Sequence, residues 1–130
     1  MPTEPLSRTR IVAAAIDLIE REDLPARARE IEAFALPRLA LLRDRYRSVG
    51  DVRGRGAMLA MEFVRPGTTV PDPDAAKAVA ASANRQGVLT LTCGTFGNVI
   101  RLLPPLVITG AQLDDALRVI EGAVDALSGR

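Results

Sequence analysis

An α+β fold, with helices on one face of a small, mainly antiparallel sheet, is what this 130-residue sequence predicts. Three observations predict it. Alanine-rich segments with apolar residues at helical spacing fill much of the first 46 residues, the middle of the chain and its end. Between them lie short, glycine-punctuated runs rich in Val, Leu, Ile and Thr, which read as strands. Those runs come as two adjacent pairs, so each pairs locally, whereas parallel strands need a long crossover. The length and the 48% hydrophobic content suit one domain with a real core.

Residues 1–7, with Pro2 and Pro5, read as a loose leader whose last residue, Ser7, caps a first helix over Arg8 to Glu22. Val12, Ala15, Ile16 and Ile19 give that helix an apolar stripe. Asp23-Leu24-Pro25 breaks and restarts the chain as a second helix to about Tyr46. Its stripe is Ala28, Ile31, Ala35, Leu39, Leu42 and Tyr46, with Arg27, Arg29, Glu30, Arg38 and Arg43 mostly outside it. Pro37 is expected to kink or split this helix, because it removes a backbone donor. Arg43-Asp44-Arg45 with Arg47 reads as a solvated helix end.

Val49 to Arg53 is a strand, Gly54-Arg55-Gly56 a turn and Ala57 to Val64 a second strand. Ala57, Leu59, Met61 and Phe63 share one face of it, and Met58, Ala60, Glu62 and Val64 the other. Glycines flanked by strand on both sides read as a hairpin in preference to a phosphate cradle. After a loop, Asp72 caps a helix from Pro73 to Gln86, stopped by Gly87. Val88 to Thr92 is a strand, Cys93 to Gly97 a turn in which Gly94 and Gly97 take positive φ, and Asn98 to Leu103 the returning strand. Pro104-Pro105 ends it. Thr109 and Gln112 form a capping box for a closing helix with Leu113, Ala116, Leu117, Ile120, Val124 and Leu127 on its apolar face.

Several chemistries are disfavoured. The chain has no histidine and a single cysteine, Cys93, which leaves no imidazole acid–base pair, zinc constellation or internal disulfide. A net charge of +1, with arginines spread along the helices, suggests neither nucleic acid nor membrane as a partner. No secretory signal is visible and no apolar run approaches the roughly 20 residues of a membrane span, so a cytoplasmic location is expected. Lys77, the only lysine, reads as a solvated helix position. Cys93 reads as a small residue at a turn.

Arg101 stands out. In extended chain Val99, Arg101 and Leu103 share one face, Ile100 and Leu102 the other, and both faces are otherwise apolar. A guanidinium cannot shed its charge, so an arginine deprived of water here is expected to meet an anion. The candidates are a bound carboxylate and an internal acid, Glu62 being one if its strand adjoins that of Arg101.

VGDVRGRGAMLAMEFV (Val49 to Val64), GVLTLTCGTFGNVIRLLPPLVIT (Gly87 to Thr109) and QLDDALRVIEGAV (Gln112 to Val124) resemble the C-terminal part of class III aminotransferases, closest to the 4-aminobutyrate (GABA) branch. IDLIEREDLPARAREIEAFALPRL (Ile16 to Leu39) is similar to the segment that precedes those motifs. The resemblance implies the small C-terminal domain, residues 8–130, of a fold type I, usually dimeric, pyridoxal-phosphate enzyme. Such a domain closes over an active site built mostly by a larger one. It implies that Arg101 binds a carboxylate of the amino-acid or keto-acid substrate, alternating with an acidic side chain. No catalytic or cofactor-binding residue carries over. The family's Schiff-base lysine, its pyridine-pairing aspartate and its phosphate loop belong to the large domain, and Lys77 does not match that lysine. Pyridoxal phosphate is therefore implied as the cofactor, yet is not expected to be held by this chain alone, and no transaminase activity is expected without a partner. That partner is a large domain or a homo-oligomer.

Two other readings exist. One is a stand-alone, non-catalytic module binding a carboxylate or a protein. The other is DNA binding, since PLSRTRIVAAAIDLI (residues 5–19) is similar to the opening helix of TetR-type domains. Nothing after Leu24 supplies the recognition helix of that family.

Overall fold

The computed structural model describes residues 7–128, so the expected leader, apart from Ser7, lies outside the described residues. Eight elements follow in the predicted order. They are α1 (Arg8–Arg21), α2 (Leu24–Arg45), β1 (Val49–Arg55), β2 (Met58–Phe63), α3 (Pro73–Arg85), β3 (Leu91–Cys93), β4 (Val99–Leu102) and α4 (Gly110–Ser128). The strands form one antiparallel sheet in the order β1-β2-β4-β3, so the second hairpin pairs with the first through their inner strands.

The caps read from the sequence are made. Ser7 Oγ accepts from Arg10 N, Asp23 Oδ1 from Ala26 N and Asp72 Oδ1 from Ala75 N. The box at the last helix closes reciprocally, Thr109 N to Gln112 Oε1 at 3.0 Å and Gln112 N to Thr109 Oγ1 at 3.2 Å. α2 runs unbroken across Pro37, which settles the choice against a split. Ile31 and Ala35 before the proline and Leu39 and Leu42 after it are all buried, and this shared anchorage keeps the two halves in one helix. β3 begins three residues later than expected. Gly87, at φ 84°, ends the α3 turn, and Thr90 N donates to Asn84 Oδ1 instead of to a strand.

α2, α3 and α4 cover one face of the sheet. Leu59, Met61 and Phe63 of β2 and Ile100 of β4 are at most 1% exposed beneath them. The face alternation read for β2 is thus the observed one. Asn98, buried to 2%, locks the two hairpins together, its Nδ2 donating to Phe63 O at 2.8 Å.

Polar ties hold the helices to the rest. Arg38 of α2 reaches α4, where Nε and one terminal nitrogen donate to the two oxygens of Glu121 at 2.8 and 2.9 Å and the other nitrogen to Asp114. The Glu121 hydrogen bond, helped by Asp114 and opposed by burial, raises the Arg38 pKa above its ordinary value. Arg27 donates to the backbone carbonyls of Leu106 and Ile108, which pins the segment between β4 and α4 against α2.

The phenol of Tyr46 donates to Asp125, and this hydrogen bond raises its pKa above the ordinary tyrosine value of about 10. A raised folded value means that the bond stabilises the fold fully below about pH 10 and ceases to do so as pH rises through the folded value. The chain has one tyrosine and no tryptophan, so ultraviolet absorbance titrates Tyr46 alone. An apparent pKa above that of free tyrosine is expected, and Asp125→Asn is expected to bring it back down.

Candidate functional site

Cross-strand register decides which side chains meet. Arg101 lies on β4, an inner strand, directly between Ala60 of β2 and Leu91 of β3. One pairing step away, Val99 lies between Glu62 and Cys93, and on β1 Arg53 lies opposite Ala60. Opposed residues share a face, so these side chains project from the sheet face that bears no helices.

That placement corrects one expectation. Arg101 is exposed, not starved of water, because no helix covers this face at its position, although Val99 on the same face is buried. The expected internal anion is also corrected. The strand of Glu62 does adjoin that of Arg101, but the Glu62 carboxylate is held by Arg53 at 2.8 Å, with Asn98 Nδ2 at 3.5 Å. Arg53 binds Asp51 as well, at 2.7 Å, and its pKa is raised first by Asp51 and then by Glu62. Both acids on this face are thereby engaged. No hydrogen bond or ion pair forms to Arg101 among the described residues.

The result is a planar cation on an inner strand, over a small neighbour (Ala60) and beside exposed apolar groups. Leu91 is 65% and Met58 54% exposed on the same face. This geometry suits one carboxylate, to which a guanidinium donates two parallel hydrogen bonds.

The other candidates fall elsewhere. Cys93 ends β3 at the turn, with Gly94 at φ 86° and Gly97 at φ 67°, the positive angles expected of both glycines. The Gly54–Gly56 segment is a hairpin, closed by the pair Arg55 and Met58. Gly56 N, at the turn, already donates to the Glu32 carboxylate of α2, so an anion of the protein occupies the place where a phosphate would sit. Lys77 is exposed on α3, across the sheet from Arg101. An apolar cavity of about 500 Å³, lined by Ile31, Leu59, Leu102, Leu113, Leu117 and Ile120 among others, lies on the helix side and does not include Arg101. Among the described residues no cluster of acidic or cysteine side chains could hold a metal ion, and no helix is long and apolar enough to cross a membrane.

The partners of Arg38 and Arg27 and the Arg53–Glu62 pair escaped the sequence reading. For the last, the parity of Arg53 and Glu62 in a hairpin closed by Arg55 and Met58 was a usable signal.

Known proteins share this architecture. Residues 4–124 match the family described as aminotransferase class-III, and the match includes the whole segment with TetR likeness, residues 5–19. A 4-aminobutyrate aminotransferase from Mycobacterium leprae is 49% identical over 107 residues, 82% of this chain and 24% of the relative. An alanine/serine racemase from Pyrococcus horikoshii is 38% identical over 118 residues, 90% of this chain and 25% of the relative. Among solved structures, a phospholyase from Arthrobacter in complex with phosphoethanolamine superimposes with a TM-score of 0.80 at 29% identity, covering 88% of this chain and 27% of that one. The chain spans about a quarter of the length of the curated relatives it matches.

Proposed function

This chain belongs to the class III aminotransferases, and from that premise we propose that it supplies the substrate-carboxylate arginine, Arg101, of a transamination site completed by a larger domain. The observation that carries the reading is the guanidinium without an internal anion on an inner strand, while Arg53 nearby holds both acids of the same face. Arg101 binds and orients the carboxylate of an amino-acid or keto-acid substrate related to 4-aminobutyrate, and the apolar groups around it exclude water once the face is covered. The proposed setting is the cytoplasm.

The family implies pyridoxal phosphate, whose electron-withdrawing ring carries the chemistry. The residues of this chain do not fit it. Anchoring the cofactor takes an amine that converges with the substrate site, and Lys77 is solvated on the opposite side of the sheet. A stand-alone carboxylate-binding module is less well supported, since Leu91 and Met58 lie open on the very face that bears Arg101.

The test is transamination of 4-aminobutyrate with 2-oxoglutarate, by this chain alone with pyridoxal phosphate and by this chain mixed with the large-domain segment of the mycobacterial relative. Activity is expected only in the mixture. Turnover by the chain alone, or an inert mixture in which the two polypeptides demonstrably associate, overturns the reading.

A further inference from the structure

On the helix-free face of the sheet, charged side chains fall into two cross-strand rows. In one, Asp51 of β1 lies opposite Glu62 of β2, and Glu62 opposite Val99 of β4. In the next, Arg53 lies opposite Ala60, and Ala60 opposite Arg101. β2 is the middle strand of the three, so Arg53 and Arg101 flank Ala60 from its two sides. Each is one diagonal step from Glu62, a separation that long side chains bridge. By register alone, Glu62 has two equivalent cations within reach.

The arrangement adopted is the uneven one. Separate pairs, Asp51 with Arg53 and Glu62 with Arg101, would match every charge on this face. Instead a single nitrogen of Arg53, Nη1, donates to Asp51 Oδ2 at 2.7 Å and to Glu62 Oε2 at 2.8 Å. Arg101 is left without a partner among the described residues. The first row supplies the physical reason. Like charges directly opposite one another in a sheet repel, and a cation placed between them removes that repulsion. The Asn98 amide, 3.5 Å from Glu62 Oε1, adds only a weak second hold.

We propose that Arg53 is a positioning residue that keeps Arg101 vacant, by clamping Glu62 to Asp51 and so withholding the one internal carboxylate that could occupy it. Without Arg53 the two opposed carboxylates face each other uncompensated. Glu62 then retreats from β1 toward β4, where Arg101 is the open cation. An acid of the chain would thus compete with any carboxylate from outside for the same planar fork. The consequence for catalysis rests on the reading of Arg101 as the substrate-carboxylate residue, whereas the exchange of partners does not.

The test has two arms. In the first, nitrogen-15 NMR of the 130-residue chain follows the Arg101 Nε–H signal, assigned by its loss in Arg101→Lys. In the parent, that proton is expected to exchange with water as fast as in free arginine. Arg53→Gln is expected to slow the exchange roughly two- to fivefold, the range of an exposed ion pair. Arg53→Gln/Glu62→Gln is expected to restore the parental rate. Arg53→Gln/Asp51→Asn, which removes the facing repulsion and so protects the fold, is expected to show the slowing as well. In the second arm, the mixture with the large-domain segment is assayed. Arg53→Gln is expected to raise KM for a carboxylate substrate roughly two- to fivefold with kcat within about twofold, and the Glu62→Gln double variant to reverse it. An Arg101 signal unmoved by loss of Arg53, or one that Glu62→Gln does not restore, overturns the proposal. A signal that moves and is restored while KM stays constant upholds the clamp and overturns the substrate role of Arg101.

Discussion

Arg101→Ala is expected to lower kcat/KM of the completed enzyme roughly 100-fold or more, while shifting the stability of the fold by no more than about 0.5 kcal/mol. The two halves of this expectation share one cause. The guanidinium is exposed and has no partner among the described residues, so removing it breaks nothing within the folded chain. In the proposed role its two charge-assisted hydrogen bonds form only with a substrate carboxylate, each contributing about 1.5–3 kcal/mol. Arg101→Lys keeps the charge but loses the planar fork, so a smaller loss, on the order of tenfold, is expected. Steady-state kinetics with and without a carboxylate on the amine substrate, beside urea denaturation of each variant, checks it. A variant that unfolds, or one that loses activity equally toward amines lacking a carboxylate, contradicts the assigned role.

The opposite profile is expected at Phe63. It is 0% exposed at the end of β2, under the helix layer, where its N–H donates to Asn98 O and its carbonyl accepts from Asn98 Nδ2. Phe63→Ala is expected to lose about 3–5 kcal/mol, from lost burial and the cavity left behind. A domain of this size has roughly 5–15 kcal/mol in all, so the variant approaches the unfolding threshold. The circular-dichroism midpoint in urea is the measurement. Met58→Ala, on the same strand but the uncovered face, is expected to stay within about 0.5 kcal/mol of the parent.

These two positions show what was legible in the sequence. Alternation along β2 correctly sorted Phe63 from Met58, and caps such as Asp72 and Thr109 located helix starts, because both signals are local. Whether an apolar face is covered is not local. Leu91 and Leu103 look like core by composition and lie open, since all three packing helices settle on the other side of the sheet. The same blindness applies to helices. α1 and α4 both carry clear apolar stripes, yet only α4 is buried. The partner of Arg38 lies 83 positions away on α4, beyond the reach of any pattern within α2. Arg101 was singled out for a sound reason, its charge in an apolar strand, but the conclusion that it lacked water needed the layer order. The family likeness suggested a role for it by a separate route.

The sheet carries an apolar, uncovered face without offering a template for fibril growth. β3 forms one margin with only three residues, ending at the left-handed Gly94. β1 forms the other, with a register shift between Val49 and Asp51 and charged Arg53 and Arg55 along it. Short, irregular or charged margins resist strand-by-strand addition of further chains. The uncovered side thus does not by itself seed cross-β deposits, and any association through it falls to side chains, not to free backbone amides.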